Sequence, residues 1–126
     1  MLHTLTIGYS RAGESIAKSV PIDAEGEQGF DVVVPGSTTD KEVTVTVDVS
    51  ALALVFITTD QTVTVKTNSS GSPDETLTVT ADKPLLWYTG CGWDNPFETD
   101  ITKLYLTRGA AGDATVNARY AYDATP

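Results

Sequence analysis

The run Leu52-Ala53-Leu54-Val55-Phe56-Ile57-Thr58-Thr59-Asp60-Gln61-Thr62-Val63-Thr64-Val65-Lys66-Thr67-Asn68 decides how this sequence reads. Six apolar residues, 52–57, run without interruption and give way at Thr59-Asp60-Gln61 to strict alternation. After a Ser/Gly/Pro connection the alternation resumes as Thr76-Leu77-Thr78-Val79-Thr80, and Leu85-Leu86-Trp87-Tyr88 follows Pro84. Successive side chains of a strand point to opposite faces, so Val63 and Val65 share a dry face and Thr62, Thr64 and Lys66 a wet one. The same division in 76–80 predicts an adjacent antiparallel strand. The apolar run 52–57 has no wet face and is expected in the middle of the fold, covered on both sides.

Outward from that stretch the pattern stays β. The cleanest alternation is Val43, Val45, Val47 and Val49 against Thr44, Thr46 and Asp48, expected beside 52–57 after a break at Ser50-Ala51. Residues 3–9 alternate Leu5 and Ile7 against Thr4 and Thr6 and end at Arg11-Ala12-Gly13, a strand and hairpin, with a weaker strand at 15–21. Segments 23–29 and 37–42 read as a loop and a solvated turn by composition, flanking a short strand at 30–34. Past Tyr88, 89–97 has no period and reads as an ordered loop whose Trp93 and Phe97 cap one end of the core. Strands return at 101–107 and 115–122, with Val116, Ala118, Tyr120 and Tyr122 on one face, and 123–126 is a short flexible tail.

The expectation is one all-β domain over 1–126, an antiparallel two-sheet β-sandwich of jelly-roll-like or Greek-key type, with nine or ten short strands and no significant helix. With 126 residues there is room for one core but hardly for two. A net charge of −9 argues against gripping phosphates, so no nucleic-acid partner is expected. No apolar run approaches the length of a membrane helix, and no membrane partner is expected. The start, Met-Leu-His-Thr-Leu-Thr-Ile, shows no secretory pattern, and synthesis in a cytosol is the default expectation.

Chemistry is hard to find in these residues. His3 is the single histidine, and a triad would have to use it; an exposed strand residue is the plainer reading. Cys91 sits between two glycines with no basic neighbour to stabilise a thiolate. Asp94, Glu98 and Asp100, with Asn95 between, supply oxygen ligands but fit no calcium-loop spacing. Asn68-Ser69-Ser70 matches a glycosylation acceptor by chance. No catalytic residue, cofactor or metal is expected. The aromatics Trp87, Tyr88, Trp93 and Phe97 read either as core packing or as a contact platform. Trp93, Asp94, Asn95, Phe97 and Glu98 are the candidate partner-contact residues.

Three stretches, 66–76 (Lys-Thr-Asn-Ser-Ser-Gly-Ser-Pro-Asp-Glu-Thr), 83–88 (Lys-Pro-Leu-Leu-Trp-Tyr) and 95–105 (Asn-Pro-Phe-Glu-Thr-Asp-Ile-Thr-Lys-Leu-Tyr), carry a resemblance. The chain resembles small virion structural proteins of tailed bacteriophages, of the capsid cement or decoration type. The resemblance is strongest over 43–106 and thin before residue 34, and it contains no catalytic motif. It implies a non-enzymatic protein on the capsid surface, synthesised in the host cytoplasm, with the major capsid protein as partner. It further implies self-association, a trimer at a threefold position suiting capsid symmetry, and contacts through loops 23–29, 37–42 and 93–100 or through strand edges. The alternative is a phage tail or receptor/carbohydrate-binding β-sandwich module using the aromatics of 87–97.

Overall fold

The computed structural model describes residues 2–123. The expected tail at 124–126 lies outside them, and Asp123 donates its N–H to the Ala51 carbonyl at 2.8 Å. Ten strands follow one another: β1 (Leu2–Arg11), β2 (Glu14–Asp23), β3 (Gly26–Val34), β4 (Thr38–Val47), β5 (Leu52–Thr59), β6 (Val63–Thr67), β7 (Thr76–Val79), β8 (Leu85–Tyr88), β9 (Ile101–Arg108) and β10 (Ala114–Tyr122). One 3-10 turn, Val49–Ala51, lies between β4 and β5. β1 and β2 pair only with each other; the rest form two four-stranded sheets in the orders β3-β10-β5-β8 and β4-β9-β6-β7.

The antiparallel pairing is nested. β3 pairs with β10, β4 with β9, β5 with β8 and β6 with β7. The body is thus one long hairpin, rolled until β10 also meets β5 and β9 also meets β6, which is the jelly-roll form of the β-sandwich. Residues 52–88 are the closed end of that hairpin, with the 68–75 connection at its tip.

Alternation explains the core. Val55 and Ile57 of β5, Val63 and Val65 of β6, Leu104 and Leu106 of β9, and Val116, Ala118 and Tyr120 of β10 all turn inward and are buried. Each such aliphatic side chain contributes about 1.5–3 kcal/mol by leaving water. The other face of β5 carries Leu54 and Phe56, against which the base of the β1–β2 hairpin packs through Leu5, Ile22 and Ala24. The apolar run is therefore covered from two sides, by the opposite sheet and by the hairpin base.

Three expectations fail. β4 lies in the opposite sheet from β5, edge to β9. At the Ser50-Ala51 break Asp48 caps the 3-10 turn, accepting from the Ser50 hydroxyl at 2.6 Å and its N–H at 3.0 Å, and the chain crosses between sheets. Those bonds hold the Asp48 carboxyl below the usual aspartate range.

Residues 23–29 are not a loop, because β2 runs to Asp23 and β3 starts at Gly26. Their glycines provide clearance: a Cβ at Gly26 would come 2.4 Å from the Tyr122 ring, and one at Gly29 would come 2.3 Å from the Ala118 carbonyl. Residues 37–42 are likewise mostly strand. The irregularity there is a register shift between Thr38 and Lys41, with Asp40 at φ 54°. Asp40 is held by its N–H to the Thr107 hydroxyl at 2.9 Å and by Lys66 Nζ on its carboxylate at 3.4 Å. A bulge of this kind blunts an edge strand.

Candidate partner-contact surfaces

The loop between β8 and β9 folds back on the edge of β8. Positive φ angles at Gly90 and Gly92 turn the chain. Trp93 Nε1 then donates to the Leu86 carbonyl at 2.9 Å, while its own carbonyl accepts from Trp87 Nε1 at 3.1 Å and from the Cys91 thiol at 3.4 Å. Its ring stands edge-on to Tyr88 at 5.6 Å, yet half of Trp93 (50%) stays exposed. Trp93 is therefore no cap on the core. Phe97 is: it is buried to 1% among Val, Leu and Ile side chains and is not presented to a partner. Asp94 and Glu98 are exposed, and Asn95 is half-buried with Oδ1 accepting the Phe97 N–H at 2.9 Å. The surface of this loop is thus Trp93, Asp94 and Glu98, with Asn95 shaping it from within.

The second surface is the β1–β2 hairpin, which the sequence reading placed among the strands of the sandwich. Only its base joins the body, through Leu5, Ile22, Ala24 and the half-buried Val20. Every residue from 6 to 19 is exposed. The register pairs Leu5 with Val20, Ile7 with Lys18, Tyr9 with Ile16 and Arg11 with Glu14, so these eight side chains share one face of the ribbon. The opposite face is small and polar: Thr4, Thr6, Gly8, Ser10, Ser15, Ala17 and Ser19. The apolar stripe that docks the base therefore continues past the body, where Ile7 is 40%, Tyr9 65% and Ile16 73% exposed. From Leu5 to Arg11 that extension spans about 20 Å at strand rise.

Charge divides along the same line. Residues 2–22 hold Arg11 and Lys18 against Glu14 alone, whereas the rest of the chain holds six of the eight Lys and Arg against sixteen of the seventeen Asp and Glu. A weakly cationic arm projects from a strongly acidic body. On the body, the outer face of the β5–β8 pair presents Leu54, Phe56, Leu86 and Tyr88, all half-buried, next to Trp93.

The residues considered for chemistry are engaged elsewhere. His3 is not an exposed strand residue: its side chain is 14% exposed, with Nδ1 3.4 Å from Glu27 at the hairpin base. Asp100 accepts the Val49 N–H at 2.9 Å. No group of three or more metal-ligating side chains gathers among the described residues. Asn68 spends its amide internally, donating to Asp74 and the Asp100 carbonyl, both at 2.7 Å, and accepting the Thr102 N–H at 2.8 Å.

Two further residues have roles that sequence reasoning missed. Arg108, the last residue of β9, is only 8% exposed and donates to the Gly112, Ala111 and Thr62 carbonyls and to Gln61 Oε1 at 3.0–3.3 Å. It staples the β9–β10 turn to the β5–β6 turn. The Tyr120 hydroxyl is buried with no hydrogen-bond partner among the described residues, and burial pushes its pKa upward. It lies beside a cleft of about 220 Å³ at the end of the sandwich, lined by Gln28, Val47, Leu52 and Tyr122.

Both surfaces expose apolar side chains, Ile7, Tyr9 and Ile16 on the hairpin and Trp93 on the loop. No protein-family model, curated protein or solved structure matches the chain.

Proposed function

We propose that the chain is a non-enzymatic phage virion structural protein, a cement or decoration protein that binds the outer capsid surface between capsomers and stabilises the shell. The observation that carries this reading is the pairing of a well-packed sandwich with a projecting arm whose apolar stripe runs on into solvent. A protein whose task is to hold neighbours needs such contact surfaces and no active site. Jelly-roll sandwiches recur in viral capsid and lectin domains, which is compatible with the reading but assigns nothing by itself.

The major capsid protein is the proposed partner. With 23–29 and 37–42 found in strands, the exposed acidic residues Asp94 and Glu98, set by Asn95, are the loop contacts assigned to the shell. Many copies on a lattice let each contact be modest, and a trimer at a threefold position would match the shell's symmetry.

A second reading is favoured by one observation: Trp93, half exposed and edge-on to Tyr88, is the kind of platform on which a sugar ring stacks. That reading is a tail or receptor module binding carbohydrate.

Co-sedimentation with expanded, empty capsids of the cognate phage tests the proposal. Saturation at a fixed ratio to the major capsid protein, with a shell more resistant to heating, is the expected result. Absence of binding sinks it. A glycan array with Trp93→Ala as control then decides the carbohydrate reading.

A further inference from the structure

A two-stranded ribbon is marginal in water without a third strand or a packed face, and here the ribbon's free half carries three large apolar side chains on one face. That face continues the interface by which Leu5, Val20 and Ile22 already dock on the outer side of β5. Where the base docks, the body keeps Phe56, Leu86 and Tyr88 half-buried and Trp93 half exposed. Arm and face are complementary in charge as well, since Lys18 lies opposite Ile7 on the arm and Asp94 follows Trp93 on the acidic body.

We infer that the occupant of the exposed arm is a second copy of this chain: Ile7, Tyr9 and Ile16 of one copy seat on the Phe56, Leu86, Tyr88 and Trp93 face of the next. The contact is heterologous, because arm and face are different surfaces of the same protein; repeated, it closes into a ring or continues as a chain. Each copy gives one arm and receives another. Small polar residues on the ribbon's opposite face fix which side is turned to the neighbour. The inference does not rest on the capsid reading, and its test uses no capsid, so either can fail alone.

Light scattering on the eluted wild-type chain at about 100 μM is expected to give a multiple of the monomer mass. An arm variant (Tyr9→Ser with Ile16→Ser) and a face variant (Trp93→Ala with Tyr88→Ser) are each expected to weaken association about 30-fold or more and to elute as monomers. Mixed, they are expected to form a complex, because the arm variant keeps its face and the face variant keeps its arm. A monomeric wild type overturns the inference, as does an arm variant that still self-associates. A face variant that still self-associates points to arm-to-arm pairing and also overturns it, as does a mixture of the two variants that fails to associate.

If the face variant does not fold, Ile16→Cys with the native Cys91 replaces it. A short bismaleimide is expected to give a covalent oligomer, lost on adding Cys91→Ser. Cross-linking that survives Cys91→Ser places two arms together and refutes the heterologous contact.

Discussion

The sandwich and the arm are built from the same alternating grammar, yet one hides its apolar residues and the other displays them. In the body, each inward face meets another sheet, and Val55, Ile57 and Leu104 are completely buried. In the arm the same period of two puts Ile7, Tyr9 and Ile16 on one face with nothing of the body over them. Alternation specifies which face is apolar, while what covers that face is a property of the whole assembly. The energetic signatures should differ accordingly: body residues govern folding, arm residues association.

The largest effect is expected inside the body. Phe97→Ala should cost about 3–5 kcal/mol, the range for emptying a packed aromatic site, read as a lower urea midpoint. Were the loss under about 1 kcal/mol, Phe97 would not be part of a tight core. Next is Arg108→Lys, which leaves several buried carbonyls without the planar fork that reaches them, for a loss of about 2 kcal/mol. A thermal midpoint equal to wild type would show that the staple between the two turns contributes nothing.

Glu75 gives a smaller, pH-dependent effect. Partial burial, then the charges of Asp74 and Glu98, raise its carboxyl pKa. A carboxyl whose folded pKa is raised is a cost when ionised, so wild-type stability relative to Glu75→Gln should improve as pH falls toward the group's own pKa. At neutral pH the variant should be equal or more stable, and its advantage should fade in acid. An advantage that grows in acid has the wrong sign and removes Glu75 from this account. The smallest folding effect belongs to the arm: Ile16→Ser should shift unfolding by no more than about 0.5 kcal/mol while reducing association. A large destabilisation would mean that the arm tip packs on its own body after all.

The fold was legible where one strand face is dry and the other wet. The runs at 43–49, 62–66 and 76–80 locate β4, β6 and β7, and the uninterrupted 52–57 locates a strand covered on two sides. What failed were inferences from polar or glycine-rich composition. Gly26 and Gly29 serve clearance beneath Tyr122 and Arg119 in a strand, and Asp40 serves a bulge; neither role changes the local composition from that of a loop. Sheet membership was also hidden: β4 and β5 are neighbours in sequence but lie in opposite sheets, since a three-residue turn can cross as readily as it can reverse.

The candidate contact surfaces were half legible. Trp93, Asp94 and Glu98 are at the surface where an aperiodic aromatic loop suggested, but Phe97 is in the core, because an aromatic in a loop looks alike whether it faces in or out. The hairpin was readable from 3–21 and its projection was not. Nothing in Leu5, Ile7 and Tyr9 tells which is covered; only the tertiary position of Ile22 and Ala24 ends the docking and starts the arm.

The nested pairing has a consequence in time. The inner pairs join strands about as close in sequence as β6 and β7, with Lys66 facing Thr76, whereas the outermost pair brings Val34 against Ala114. Loop-closure entropy falls as the inner pairs form, so the roll is cheapest to close from the Asn68 end outward, like a zip. Each sheet nonetheless has a late strand, β10 or β9, between two earlier ones. On the ribosome, β3, β4 and β5 must wait for partners that emerge after them, and the nascent chain carries unpaired apolar strands until β10 arrives. The local β1–β2 hairpin needs no such wait, so the arm can be formed before the body from which it projects.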